Sequence, residues 1–330
     1  EKYYCKNIDY IQGIFDGLID SNGHEEKYVN NTVFRFDNTS KSNIELFYWC
    51  CLNLNISFSS SNRGKKEGNL KIINKDNLND CFSIKTHTMN KGKIICIHQP
   101  TFLPWIGWFD LIDQADELIL LDDVKFSKQS WQQRNNIISK KGLELITIPV
   151  IKPPLNKNKI NQINIFQNNF YIKHLKSIEM NYSKSKYFNL YFDEFSKIYT
   201  EGYNSKKLSI FLIKMLKWLF AIMEIKTNII LSSQIEYSGN KSAMLVSLCK
   251  NRKVNKYIST SGATKYLNQD LNLFNTNNIE VFIHKYLHPT YKQLSEEFIS
   301  HASVIDLLFN EGPASRLIIK SGREKPYKLI

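Results

Sequence analysis

Arginine is scarce in this 330-residue chain: six of the 44 basic residues, against 38 lysines. Arginine is the planar fork that fits phosphates and base edges, so a sequence-specific DNA reader would carry more of it. With 31 acidic residues the net charge is +13 and the pI about 9.2. The excess is lysine in a chain also heavy in Asn and Ile, as AT-rich coding gives, and it supports only nonspecific attraction to polyanions. Glycine (13) and proline (8) are too few for a collagen or linker composition. The six cysteines, Cys5, Cys50, Cys51, Cys81, Cys96 and Cys249, form no CxxC pair, and no secretory leader opens the sequence. Reduced, mostly buried thiols in a cytoplasmic setting are expected. The most lipophilic stretch, from Leu208 to Ile225, is interrupted by Lys214 and Lys217, each costing about 2.5–3.5 kcal/mol at a bilayer centre. Phe211, Leu212, Met215, Leu216, Leu219, Ile222 and Met223 recur at helical spacing, so a core-facing helix is expected and a membrane span is not.

Hydrophobic residues at 42% and aromatics at 13% suffice for packed cores, and the length suits about two domains. The boundary is expected at Met89, with a small α+β segment over 1–88 and an α/β domain over 89–330. Residue 1 is Glu, which points to a fragment or a displaced start. The first piece reads as a helix from Tyr10 to Gly23, a β-rich stretch HEEKYVNNTVFRFDNTS, a second helix capped by Thr39 or Ser40, and polar strands. With FDGLIDSNG at Phe15 to Gly23, it resembles one repeat of the LAGLIDADG homing-endonuclease fold found in inteins, over about residues 8–88. Gly17 would let two such helices approach closely, and acids at the helix end would collect near DNA and a hard cation. The family's penultimate motif residue is a metal-binding acid; here it is Asn22, and only one repeat is present. No terminal His-Asn pair followed by Cys, Ser or Thr precedes Met89, so splicing chemistry is missing. The resemblance implies an inactive remnant, with nucleic acid reachable only through residues 1–88 and not cleaved.

The second piece begins with KIICI, Lys93 to Ile97, a short apolar run typical of a buried parallel strand. HQPTFLPWIGWFDLIDQAD follows. Pro104 suits the first turn of a helix that runs to about Asp113. ELILL, Glu117 to Leu121, is the next strand and ends at Asp122 and Asp123. A β-α-β unit sets the carboxyl ends of its strands side by side, so His98 and the two acids should meet at one rim of the sheet. His98 is the candidate acid/base, since imidazole titrates near neutrality. Asp122 or Asp123 would orient it or hold a cation. The expected fold is α/β: a Rossmann-like, mostly parallel sheet with helices on both faces.

Other residues invite a substrate. Gln99 and Trp105 lie in the loop after the first strand, and Trp105 could stack on a ring. Arg134 is a candidate anion clamp, with Asn135 beside it. Val254 to Ile258 reads as a strand, and Ser259-Thr260-Ser261-Gly262 as a turn feeding a helix from Thr264, with Ser259, Ser261, Gly262 and Lys265 able to hold an anion. Walker spacing is absent. HPTYKQL carries His288, Tyr291 and Gln293 as a substrate-contact loop. SVIDLLFNEGP reads as a buried helix stopped by Gly312 and Pro313, and Asp306 within it needs a partner, a backbone group or an Arg or His.

IHQPTFLPWIGWFDLI, LDDVKFSKQSWQQRN and HPTYKQLSEEFISHASVIDLLFNEGP, in that order, resemble the WbqC-like protein family over about residues 93–315. The resemblance implies biosynthesis of bacterial O-antigen and other surface polysaccharides, more a pathway than a mechanism. The expected activity is group transfer, acyl or aminoacyl, onto a sugar, nucleotide-sugar or other anionic small molecule. The residues point to no particular cofactor and no resident metal. Two other readings stay open: a nucleic-acid binder without sugar chemistry, and a metal-dependent hydrolase using His98, Asp123 and His288.

Overall fold

The first strand of the second unit lies in the middle of its sheet, and the rest of the chain builds outward from it. In the computed structural model the chain divides into units Glu1–Lys91 and Gly92–Ile330. The structure describes residues 93–152, 154 and 158–330, and four strands of the first unit. These are β1 (Gly23–Tyr28), β2 (Asn31–Asn38), β3 (Phe58–Asn62) and β4 (Phe82–Thr86), an antiparallel sheet in the order β1-β2-β4-β3. The β-rich stretch therefore forms the expected strands. The two helices and the FDGLIDSNG motif up to Asn22 lie outside the described residues, and Gly23 opens β1.

In the second unit β5 (Ile94–His98), β6 (Glu117–Leu120), β9 (Asn228–Leu231), β10 (Lys256–Ser259) and β11 (Glu280–Ile283) run parallel in the order β9-β6-β5-β10-β11. A short β12 (Tyr327–Lys328) adds antiparallel beside β11. The chain moves outward from β5 to β9, then returns to pair β10 on the other side of β5. That reversal is the topological switch point of a doubly wound sheet, and ligands bind beside such points at the strands' carboxyl ends.

Side-chain alternation along the strands feeds two cores. Ile95, Ile97, Ile119 and Leu121 face α5 (Ser242–Asn251), α6 (Thr264–Gln269) and α7 (Leu271–Asn275). Cys96, Leu118 and Leu120 face the other way, toward α1 (Ile106–Asp113), α2 (Phe170–Tyr182), α3 (Phe188–Asn204), α4 (Leu208–Ile222), α8 (Val304–Glu311) and α9 (Ser315–Ser321). Helices thus cover both faces, as expected. The hairpin β7 (Arg134–Ser139) and β8 (Gly142–Thr147) stands apart from the sheet. The Lys- and Asn-rich middle, which carries no motif, supplies α2 to α4.

The lipophilic stretch forms α4, with Phe211, Leu212, Met215, Leu216 and Leu219 buried and Lys217 exposed. Among the described residues no helix is long and apolar enough to cross a membrane. Cys96 and Cys249 are buried free thiols. Helix α8 stops at Gly312, whose φ of 53° and close approach to Tyr187, 2.4 Å from a built Cβ, both require glycine. Pro104 falls outside α1, one residue before the Trp105 cap.

Candidate functional site

The site forms where β5 and β10 end. His98 is the last residue of β5, half-buried at the sheet rim. The following turn is rigid. Leu103 has a φ of 42°, a conformation that costs a non-glycine residue energy, but its side chain and that of Phe102 are fully buried. The Asn135 amide donates to the carbonyls of Phe102 (3.0 Å) and Leu103 (2.9 Å), and Phe102 N–H donates to Trp131 O at 2.9 Å. Burial and three hydrogen bonds hold the strained turn, and with it the approach to His98.

His98 Nδ1 lies 2.8 Å from Gln99 O and 3.2 Å from Trp108 Nε1. One nitrogen cannot both donate to the carbonyl and accept from the indole. The shorter contact favours Nδ1–H donating to Gln99 O. Nε2 then keeps its lone pair and has no protein partner among the described residues. Burial pushes the His98 pKa below its ordinary value, partly offset by the Gln99 hydrogen bond. The ring is a neutral base at pH 7.

Two cavities share His98 and Thr260. The larger, about 770 Å³, lies at the switch point and is lined by Gln99, Lys241, Met244, Gly262, Tyr266 and Asp270 among others. The smaller, about 440 Å³, is lined by Trp105, Trp108, Trp131, Ser261, His284 and Tyr286 among others. Three of the chain's five tryptophans thus face one cavity. Gly107 makes this possible, because a Cβ there would stand 2.2 Å from the Trp105 ring.

The expected meeting of His98 with an aspartate at the ends of β5 and β6 does not occur. Asp122 and Asp123 line neither cavity. Asp122 is 3% exposed and accepts from Ser233 N–H (3.0 Å) and Ser233 Oγ (2.8 Å), while its own N–H donates to Ser232 Oγ (3.2 Å). Asp123 accepts from Ser232 Oγ and from Tyr237 Oη at 2.7 Å. Both carboxylates turn to the chain after β9 and tie it to β6. The imidazole–carboxylate couple at this rim is another one. Asp110 of α1, fully buried, lies 2.8 Å through Oδ2 from Nε2 of His284, just past β11, while Arg323 Nε donates to its Oδ1 at 2.7 Å. Asp110 fixes His284 as the Nε2–H tautomer, so Nδ1 is the nitrogen left for the smaller cavity. Tyr286 beside it has a buried hydroxyl with no partner among the described residues.

The remaining candidates divide. Gln99, Ser259 and Gly262 line the larger cavity and Trp105 and Ser261 the smaller, with Gln99 steadied by Gln132 Nε2 at 2.7 Å. Asn135 also lines the smaller cavity, but both its amide hydrogen bonds hold the turn. Lys265 is exposed and lines neither cavity, and α6 behind it is only six residues long. Arg134 lines neither and forms no ion pair among the described residues. His288 has both nitrogens engaged, Nδ1 with Pro289 O (2.9 Å) and Nε2 with His301 N–H (3.2 Å), and stacks against Trp105.

Tyr291 and Gln293 are not a substrate loop. Tyr291 Oη and Gln293 Nε2 each donate at 2.8 Å to Asp306 Oδ2, so the partners of that buried acid are a phenol and an amide, not Arg or His. Desolvation still raises the Asp306 pKa to about 6, opposed by the Tyr291 and Gln293 hydrogen bonds. Among the described residues no group of three His, Cys, Asp or Glu side chains is placed to hold a metal ion, so His98, Asp123 and His288 form no such cluster.

Asp110 and His284 escaped the sequence reading because they are 174 positions apart. The one available signal was an acid inside IGWFDLID, a helix with no polar face.

The WbqC-like protein family matches residues 99–318. The uncharacterized protein Rv1507c of Mycobacterium tuberculosis is 32% identical over 221 residues, covering 67% of this chain and 94% of its own. No solved structure matches. The matched span contains both cavities' main walls and the Asp110–His284 couple, but begins one residue after His98.

Proposed function

This chain belongs to the WbqC-like protein family, and from that premise we propose that it is a cytoplasmic enzyme of surface-polysaccharide biosynthesis, transferring an acyl or aminoacyl group onto a sugar or activated sugar. The observation that carries the reading is His98: an imidazole whose Nε2 has no protein partner among the described residues, in the wall shared by two cavities. Two cavities meeting at one base suit a donor and an acceptor. Indoles at the smaller cavity offer flat faces to a sugar ring. His98 Nε2 would take the proton from the attacking hydroxyl or amine as the new bond to the acyl carbon forms. The same imidazole would return that proton to the leaving group as its bond to the acyl carbon breaks, while His284 Nδ1, held by Asp110 through Nε2, would accept a hydrogen bond from the substrate. The free, buried thiols of Cys96 and Cys249 fit a reducing compartment.

The test is turnover. Acyl and aminoacyl donors are screened against amino-sugars by mass spectrometry, and the productive pair is repeated with His98→Ala. A loss of about 100-fold or more is expected; unchanged turnover removes His98 from the reaction. For residues 1–88 the GLID-type motif supports a remnant that binds DNA weakly at most. Tight, salt-dependent binding that falls with a steep log–log slope would replace that part of the reading.

A further inference from the structure

Two residues of the larger cavity are shaped for something the protein does not itself supply. Gly262 lies in the turn after β10. Its φ is outside the left-handed region, and a Cβ there would meet only Thr260 Oγ1, at 4.0 Å. At Gly107 and Gly312 a Cβ would collide at 2.2 and 2.4 Å. Neither backbone nor packing demands glycine at 262; the missing side chain clears space in the cavity wall. Lys241 enters α5 with φ 51° and ψ −126°, a strained conformation for a lysine. It lines the same cavity, and no carboxylate among the described residues pairs with it.

The rest of the wall limits the ligand. Leu121, Met244 and Leu245 give an apolar side, and Tyr266 adds an aromatic edge. Asp270 has one oxygen engaged by Ser242 Oγ, which leaves the other to accept from a hydroxyl. The volume of about 770 Å³ falls among pockets for ligands larger than one sugar ring. A ligand that satisfies this wall offers an apolar face, a hydroxyl to donate and an anionic group. We infer that this cavity binds a nucleoside diphosphate, free or as the carrier of an activated donor. The base lies against Leu121, Met244 and Leu245, a ribose hydroxyl donates to Asp270, and the phosphates meet Lys241 and the backbone cleared by Gly262. The turn after β5 holds Pro100 and Pro104 and no glycine, so the phosphates are not cradled there as in dinucleotide folds.

This names the donor's carrier and so rests on the group-transfer reading, but binding is measured without transfer and the two fail separately. The full chain is titrated calorimetrically with UDP, GDP, ADP and CDP, and with inorganic diphosphate. At least one nucleoside diphosphate is expected to bind with a Kd below 100 µM, at least tenfold tighter than inorganic diphosphate. Lys241→Met should weaken it tenfold or more, and Gly262→Leu, which has open space to fold into, should block it. In the unaltered protein, labelled with ¹³C-methyl methionine, the Met244 signal should shift on binding while exposed Met180 does not. Failure of every nucleoside diphosphate to bind with a Kd below 100 µM overturns the inference. So do a silent Met244, binding indifferent to Lys241→Met, or inorganic diphosphate binding equally well. If a nucleotide binds as described but His98→Ala keeps full turnover, the site stands and the role of His98 falls.

Discussion

Two carboxylate sites lie along the same edge of the parallel sheet, and they have opposite character. At the end of β6, Asp122 and Asp123 are surrounded by Ser232, Ser233 and Tyr237, and every short contact is internal. Near the end of β11, Asp110 is fully buried but engages a histidine whose second nitrogen is left for a cavity. Position at a strand's carboxyl end is common to both. What separates them is whether the hydrogen-bonding capacity closes on itself. A closed set ties strands together; an open one has capacity left for a substrate.

Replacing Asp110 tests the open side and carries the largest expected effect. Asp110→Ala leaves Arg323 and His284 without their buried carboxylate, and loss of one partner from such a pair costs about 3–5 kcal/mol. Chemical denaturation should show that loss. Asp110→Asn keeps the shape but offers an amide where a carboxylate held Nε2–H. Nitrogen chemical shifts of His284 should then report a changed tautomer mixture. An unchanged mixture would mean that Asp110 does not set the ring.

Asp306 sharpens the comparison, because a closed network need not favour charge. Its pKa is raised to about 6 by desolvation, against 3.8 ordinarily. Below about pH 4 the carboxyl is protonated folded or unfolded. Between about pH 4 and 6 only the folded protein keeps the proton, so this stabilisation is lost as the pH rises through that window, by about 3 kcal/mol. The sign is opposite to that of a salt-bridged aspartate. Urea unfolding at pH 4.5, 5.5 and 6.5 should show the slope in the native sequence and lose it in Asp306→Asn. Equal slopes in both would remove Asp306 as its source.

On the closed side, Asp122→Asn should cost about 1–3 kcal/mol, since Ser233 N–H and hydroxyl lose part of a buried acceptor. Turnover per folded molecule should stay unchanged. A selective loss of turnover would return this acid to the active site.

These cases also show what was legible in sequence. Apolar runs such as KIICI and ELILL announce strands of a sheet covered on both faces, and a β-α-β unit places His98 at its rim. Which neighbour takes the acids after β6 could not be read. Ser232 and Ser233 come some 110 positions later and reach them only because β9 pairs with β6. Arginine misled in a similar way. Its scarcity made Arg134 look like an anion clamp, yet Arg252 forks onto buried Glu117, and Arg316 and Arg323 bind Asp113 and Asp110 of α1. The fork that suits phosphate suits a buried carboxylate equally well.

Trp131 gives the smallest stability effect and the most direct reading of the open side. It is 56% exposed at the mouth of the smaller cavity, where it neighbours Leu143, also exposed. Its structural duty is a backbone one, the carbonyl that receives Phe102 N–H, and alanine keeps that carbonyl. Trp131→Ala should therefore change stability by no more than about 0.5 kcal/mol. If the indole is a platform for the acceptor sugar, KM for that substrate should rise about three- to tenfold with kcat little altered, the size of one aromatic contact. A large loss of stability would make the residue part of the core. An unchanged KM would move the acceptor away from the rim, toward Trp105 and its stacked histidines.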